Sequence, residues 1–310
     1  MNIRILFPVV FSFAICSTAF SGDARARLLN KDGSHSDVLI IDYKGGSVLH
    51  RSSAKDLNKV KTKVSSLDGV YFYVPSVYTE ATYLYEERKF KEAKKMFAQC
   101  EADFKSVDTA KGNYATLAGF YKLECSRRMF DFKALSSEQE KFRNKALTRE
   151  SHIVQLELNA LWEAFGLQDW ERLESLTQKW SEKNVTNSQL AQIAYCRAVA
   201  LDEIAIKDPT RMEEALDAYD KAIVLDQVGS LELVTAATEK ILDIYVNDKA
   251  VKIAMKLWET KDEETNSDGY VKLVRANALV RTYQLGGFSH IKPLSAEHAG
   301  LIKFKPKDKS

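Results

Sequence analysis

The chain has 310 residues, 45% hydrophobic, 28% charged and 10% aromatic, with a formal net charge of +2. That composition excludes a disordered or collagen-like chain and leaves ample apolar content for a core. With only 13 Gly and 5 Pro, a loop-rich β protein is disfavoured and long helices are expected over most of the length.

Residues 1–21 stand apart. The Arg4 charge precedes an almost wholly apolar or small stretch over 5–20, and Ala19-Phe20-Ser21 puts small residues at both positions that a signal peptidase reads. This pattern predicts a secretory signal peptide cleaved after Ser21. An uncleaved anchor fits less well, because the run contains Pro8, Ser12 and Ser17 and is shorter than the roughly 20 residues of a spanning helix. Lipid attachment at Cys16 fits less well too, since Ile15 stands where a small residue is usual. Charge interrupts every later apolar stretch, so the mature chain is expected to be exported, periplasmic or secreted, and not membrane-spanning. Cys100, Cys125 and Cys196 then remain, an odd number without Cys-x-x-Cys spacing. They are expected to be small core residues, with a Cys100 to Cys125 bridge as the lesser alternative.

Residues 22–75 predict a small β module. A short strand over 25–30, turn chemistry at Lys31-Asp32-Gly33-Ser34, a β-branched run over 38–43, a Gly45-Gly46 turn and a strand over 47–50 follow one another. Residues 54–64 carry Leu57, Val60 and Val64 at helical or short-strand spacing, and the dense run Val70-Tyr71-Phe72-Tyr73-Val74 stops at Pro75. Four strands in so short a span suggest a small open barrel or curled sheet, similar in size and strand rhythm to the SH3-like barrels. The segment holds 9 Lys plus Arg against 6 Asp, a mild basic excess that suits an anionic envelope component but is more often a plain solvated surface. No nucleic-acid motif interleaves with it.

From 76 to 287 helix formers dominate, and a stripe repeats. Phe90, Ala93, Phe97 and Cys100 fall on one helical face, and Met212, Ala215, Tyr219 and Ala222 recur at the same offsets. Looser versions begin at Phe132, Trp170 and Asn247, so the starting positions are separated by 42, 38, 42 and 35 residues. In this large, small, aromatic, small pattern the chain resembles the tetratricopeptide repeat family, whose units average about 34 residues. The resemblance implies an irregular α-solenoid of antiparallel helix pairs, each stripe marking a second helix, with a last helix over 267–285 covering the open end. Residues 288–310, rich in lysine, predict a mobile basic tail.

Phosphate-binding loops, His-Glu-x-x-His and Gly-x-Ser-x-Gly patterns are missing from the sequence, and no two of the five histidines are three or four residues apart. Two Ser-x-x-Lys matches, at Ser52 and Ser289, lack the partner motifs of penicillin-recognising enzymes. The expected function is therefore non-enzymatic, without metal or cofactor: an exported adaptor that binds a protein or peptide on its concave face. The repeat resemblance places the ligand face on the first helices, at Tyr83, Tyr114, Tyr121, Asn159, Tyr195 and Arg197. The alternative is an envelope glycan-binding protein or enzyme that works through the basic β module.

Overall fold

A computed structural model describes residues 23–306. The expected signal peptide lies outside the described residues, as do the last four positions of the tail. The fold is mainly α: five strands form one antiparallel sheet, and helix pairs stacked behind it make up the remainder.

The strands are β1 (Ala24–Asn30), β2 (His35–Lys44), β3 (Ser47–Arg51), β4 (Val60–Lys63) and β5 (Leu67–Phe72), in the order β4-β3-β2-β1-β5. In β1 strict alternation buries Ala24, Ala26 and Leu28 and turns Arg25 and Arg27 to solvent. Gly45 and Gly46, with φ of 58° and 68°, make the two-residue hairpin between β2 and β3, a turn that needs left-handed backbone at both positions. The sheet has one strand more than the sequence predicts, because the open segment before Val64 supplies the short edge strand β4. Its inner face packs on Val107 and Phe104, which follow a helix of the second layer, and Thr109 Oγ1 donates to the Tyr43 carbonyl at 3.0 Å.

Twelve α-helices follow among the described residues: α1 (Ser76–Glu86), α2 (Phe90–Asp103), α3 (Tyr114–Arg128), α4 (Phe132–Lys141), α5 (Glu150–Gly166), α6 (Trp170–Ser181), α7 (Asn187–Ala205), α8 (Met212–Leu225), α9 (Leu231–Asn247), α10 (Lys249–Leu257), α11 (Asp268–Leu285) and α12 (Ala296–Gly300). Four of the five predicted stripe positions, 90, 132, 170 and 212, are the first residues of α2, α4, α6 and α8. The fifth is displaced. Asn247 ends α9, and Asp248 caps α10 by accepting from the amides of Ala250 at 2.7 Å and Val251 at 3.3 Å, so the buried face of α10 is Val251 and Ala254.

Three turns joining a first to a second helix share one geometry that the stripe does not reveal. Arg88, Phe130 and Gln168 each lie two residues before the next helix and take φ of 59°, 56° and 56°. After each, the amide of Lys89, Asp131 or Asp169 donates back to the carbonyl of Leu84, Ser126 or Ala164, the six-to-one bond of a helix-ending Schellman turn. Asp131 and Asp169 then cap the following helix. Identical backbone closure at three places reverses the chain within three residues and makes α1–α2, α3–α4 and α5–α6 equivalent pairs.

The tail differs from its prediction. Leu301 and Phe304 are buried in the main core, Phe304 meets Trp258 edge-on at 5.5 Å, and Asn277 donates to the carbonyls of Leu301 and Ile302. Two apolar residues three apart outweigh the surrounding lysines and dock residues 288–306 against α11. Trp258 is half-buried and stacked on Tyr270 at 5.0 Å. Cys100, Cys125 and Cys196 are free and buried, and burial pushes the Cys100 and Cys125 thiols up to about 12.

Candidate binding surfaces

In α7 nearly every side is covered, by small and apolar residues such as Ala191, Ala194, Ala198 and Leu201 and by Gln189 and Gln192. A helix apolar all round belongs inside a protein. Helices α3, α5 and α9 are likewise buried on more than one face. Between them runs a polar seam in place of an open groove. The side-chain amides of Gln155 and Gln192 pair reciprocally at 2.9 and 3.0 Å, Trp162 Nε1 donates to Gln192 Oε1 at 2.9 Å, and Asn159 donates to Gln139 Oε1 at 2.7 Å. These amides satisfy one another, as buried polar groups must.

The seam ends at a charged clasp. Glu124 and Arg127 form a buried two-pronged pair at 2.9 and 2.7 Å. Burial works against the Glu124 carboxylate, yet the Arg127 charge and hydrogen bonds hold its pKa below the ordinary value. Beside it, Arg128 donates to Tyr85 Oη at 2.6 Å, to the Gly229 carbonyl at 2.7 Å and to Glu232 at 3.0 Å, while Arg88 reaches the same Glu232 and the Val228 carbonyl. The stack therefore curls until its first pair touches the start of α9.

The six predicted ligand residues separate under this geometry. Tyr83 is exposed, at 59%. Tyr121 stacks on Phe97 at 5.4 Å, and Tyr114 meets Tyr78 edge-on at 4.8 Å, so both belong to one aromatic cluster of α1, α2 and α3. Asn159, at 3%, is a member of the polar seam, and Tyr195, at 5%, packs between Trp162, Phe165 and Tyr219. Arg197 is half-buried and pairs with Glu214 at 3.5 Å. Asn159 and Tyr195 hold the stack together and present almost no surface, because the inner helices close on each other.

A cleft lies elsewhere, where the β module meets the helices. It encloses about 500 Å³. Its lining is mostly apolar, with Phe72, Val74 and Pro75 at the end of β5, Phe104 and Val107 after α2 and Tyr114 at the start of α3, and it includes the charged Asp23 and Arg25 at the start of β1. Sequence reasoning missed it because residues some thirty positions apart form opposite walls. One trace was legible: the apolar run over 70–74 continues past what a strand with one buried face needs.

Strand β5 is also an edge. Tyr73 donates to the Arg25 carbonyl at 2.9 Å, and in the antiparallel register Arg27 faces Tyr71 while Ala26 faces Phe72. Bonding alternates along such a ladder, so Val70, Phe72 and Val74 point their amides and carbonyls away from the sheet. No backbone partner meets them among the described residues. On the outer face, the Arg25 guanidinium stands 4.7 Å from the Tyr73 ring. Asp37 accepts from Arg27 at 2.8 Å and from Tyr73 Oη at 2.9 Å, which together hold its carboxyl down at about 2.

Among the described residues no group of three His, Cys, Asp or Glu side chains is placed to hold a metal ion, and no helix is long and apolar enough to cross a membrane. Ser52 lies outside any helix, so the lysine of its Ser-x-x-Lys match is not set one helical turn away. The architecture is thus a small antiparallel sheet on a curled stack of helix pairs. No family model, curated protein or solved structure matches the chain.

Proposed function

We propose that the chain is an exported, non-enzymatic adaptor, a solenoid of tetratricopeptide type that carries a small β module and binds a segment of another protein. The observation that supports this reading best is the cleft between module and helices. Its aromatic and aliphatic walls offer apolar area and shape, the qualities that anchor a partner's side chains. A concave-face site is less well supported, since the inner helices spend their side chains on one another. The helical stack then acts as a rigid holder that fixes Phe104, Val107 and Tyr114 opposite β5.

Site-resolved photo-crosslinking tests this. With a photoreactive residue at Val74 or at Tyr83, in the cell of origin, the reading predicts one recurrent adduct from Val74 and none from Tyr83. The reverse pattern would return the site to the first helices. The basic module remains a second reading on one observation, that Arg25 and Arg27 alternate with the buried positions of β1 while Lys61 and Lys63 are exposed on β4. Retention on purified anionic envelope glycan, lost in a Lys61→Glu/Lys63→Glu variant, would favour it.

A further inference from the structure

We propose that the partner segment binds as a sixth strand, adding along the free edge of β5 so that its alternate side chains enter the cleft. The inference rests on the adaptor reading and names its ligand class: an extended peptide with apolar residues at every second position and acidic residues between them.

The two edges of the sheet differ in how they meet solvent. Strand β4 is short, reads Val60-Lys61-Thr62-Lys63, and carries two exposed lysines, a common way to keep an edge from pairing. Strand β5 carries no lysine, arginine or internal proline, and its run of Val, Tyr and Phe continues to Val74 before Pro75 ends it. Its outward amides and carbonyls at Val70, Phe72 and Val74 are free. An exposed apolar edge of this kind is a template for strand addition, in which main-chain bonds give affinity and pockets for alternate side chains give specificity.

The cleft lies where those alternate side chains would go. Ala24, Ala26 and Leu28 on β1 lie on the buried face of the sheet, and the register sets Val70 and Phe72 opposite Leu28 and Ala26, on that same face. Phe72 and Val74 form one cleft wall and Phe104 and Tyr114 the other. A strand laid beside 70–74 directs every second side chain between these walls. Its intervening side chains fall on the outer face beside Tyr71 and Tyr73. There Arg27 and Arg51 are taken by Asp37 and Asp23, whereas Arg25, over Tyr73, forms no ion pair among the described residues and feels only the more distant charge of Asp37. With no carboxylate in direct contact, that guanidinium favours one at an intervening position.

The test uses the purified chain and a fluorescent decapeptide alternating valine and glutamate, read by anisotropy. Two further peptides carry N-methyl groups, one on every valine nitrogen and one on every glutamate nitrogen. In a strand these two sets point to opposite sides, so only one faces β5. The expected result is that one methylated peptide binds at least about tenfold more weakly, the loss of one or two backbone bonds, while the other binds like the parent. Val70→Pro, which removes an outward amide without touching the β1 ladder, is expected to weaken the parent peptide similarly, and Arg25→Glu to weaken it while sparing a valine and serine version. Equal binding of both methylated peptides overturns strand addition. If Val74→Asp still abolishes that binding, the cleft reading survives alone. Failure of the parent peptide to bind, or a dimer in sedimentation that Val70→Pro dissociates, also overturns the proposal, the latter by assigning the edge to a second copy.

Discussion

Glu124 and Arg127 show what a buried charge demands of this fold. Each satisfies the other inside the inner helix layer, and removing one partner strands the remaining charge away from water. Glu124→Ala is expected to cost about 3 to 5 kcal/mol, while Glu124→Leu with Arg127→Met is expected to cost clearly less, because both desolvated charges vanish together. Urea denaturation of the three proteins decides this, and equal losses would contradict it.

His152 titrates under similar pressure. Its ring lies parallel to Phe120 at 4.1 Å, burial lowers its pKa and Arg149 lowers it further, against a smaller opposing pull from Glu124. The native state therefore takes up a proton less readily than the unfolded chain, whose histidine titrates near about 6.5. Stability from this group is complete above that value and falls as pH drops through and below it. His152→Phe keeps the ring stack and is expected to flatten the decline in urea midpoint between pH 7.5 and 5.5. His50, also lowered by burial, contributes to the slope that remains. An unchanged slope in the variant would contradict the assignment.

Elements were legible in proportion to how local their causes are. The stripes at 90, 132, 170 and 212 located four second helices, since a helix face is written at fixed offsets. The fifth is displaced because the Asn247 stripe fits the same offsets only in part, while Asp248 caps α10 and sets its start at Lys249. The closure of the helix stack was not legible at all. It depends on Arg88 and Arg128 meeting a glutamate more than a hundred positions away. The reversing turns were hidden for another reason: three ordinary residues, Arg88, Phe130 and Gln168, occupy left-handed positions where glycine is usual. At the exposed Gln168 this has a measurable cost. Gln168→Gly is expected to raise stability by about 0.5 to 1 kcal/mol and Gln168→Val to lower it by a similar amount or more, as a left-handed position dictates. Thermal midpoints moving the opposite way would contradict the turn geometry.

At the scale of the whole molecule, the Glu232 clasp sets the curvature that brings the first pair to α9. Its two arginines are largely buried, and Arg128 keeps only Tyr85 and the Gly229 carbonyl if the carboxylate is removed. Glu232→Ala is expected to lower stability by about 2 kcal/mol and to increase the radius of gyration in solution scattering. An unchanged radius and midpoint would mean that packing alone fixes the curl. The sheet is held by a smaller interface, through Phe104, Val107 and Thr109, and this leaves a cleft beside it. Composition foretold an α-rich chain with a β-rich front. The cleft itself needed the fold, because its walls meet only after the second helix has returned the chain to the sheet.

In the proposed mode the edge of β5 and the cleft beside it receive a partner segment. Backbone amide exchange resolved at residues 68–74, in the chain alone and with the partner captured at Val74, tests it most directly. Fast exchange is expected at Val70, Phe72 and Val74 in the free chain, slow exchange at Tyr71 and Tyr73, and strong slowing of the first three on binding. Protection of those three amides in the free chain, or protection on binding confined to the inner helices, would contradict it.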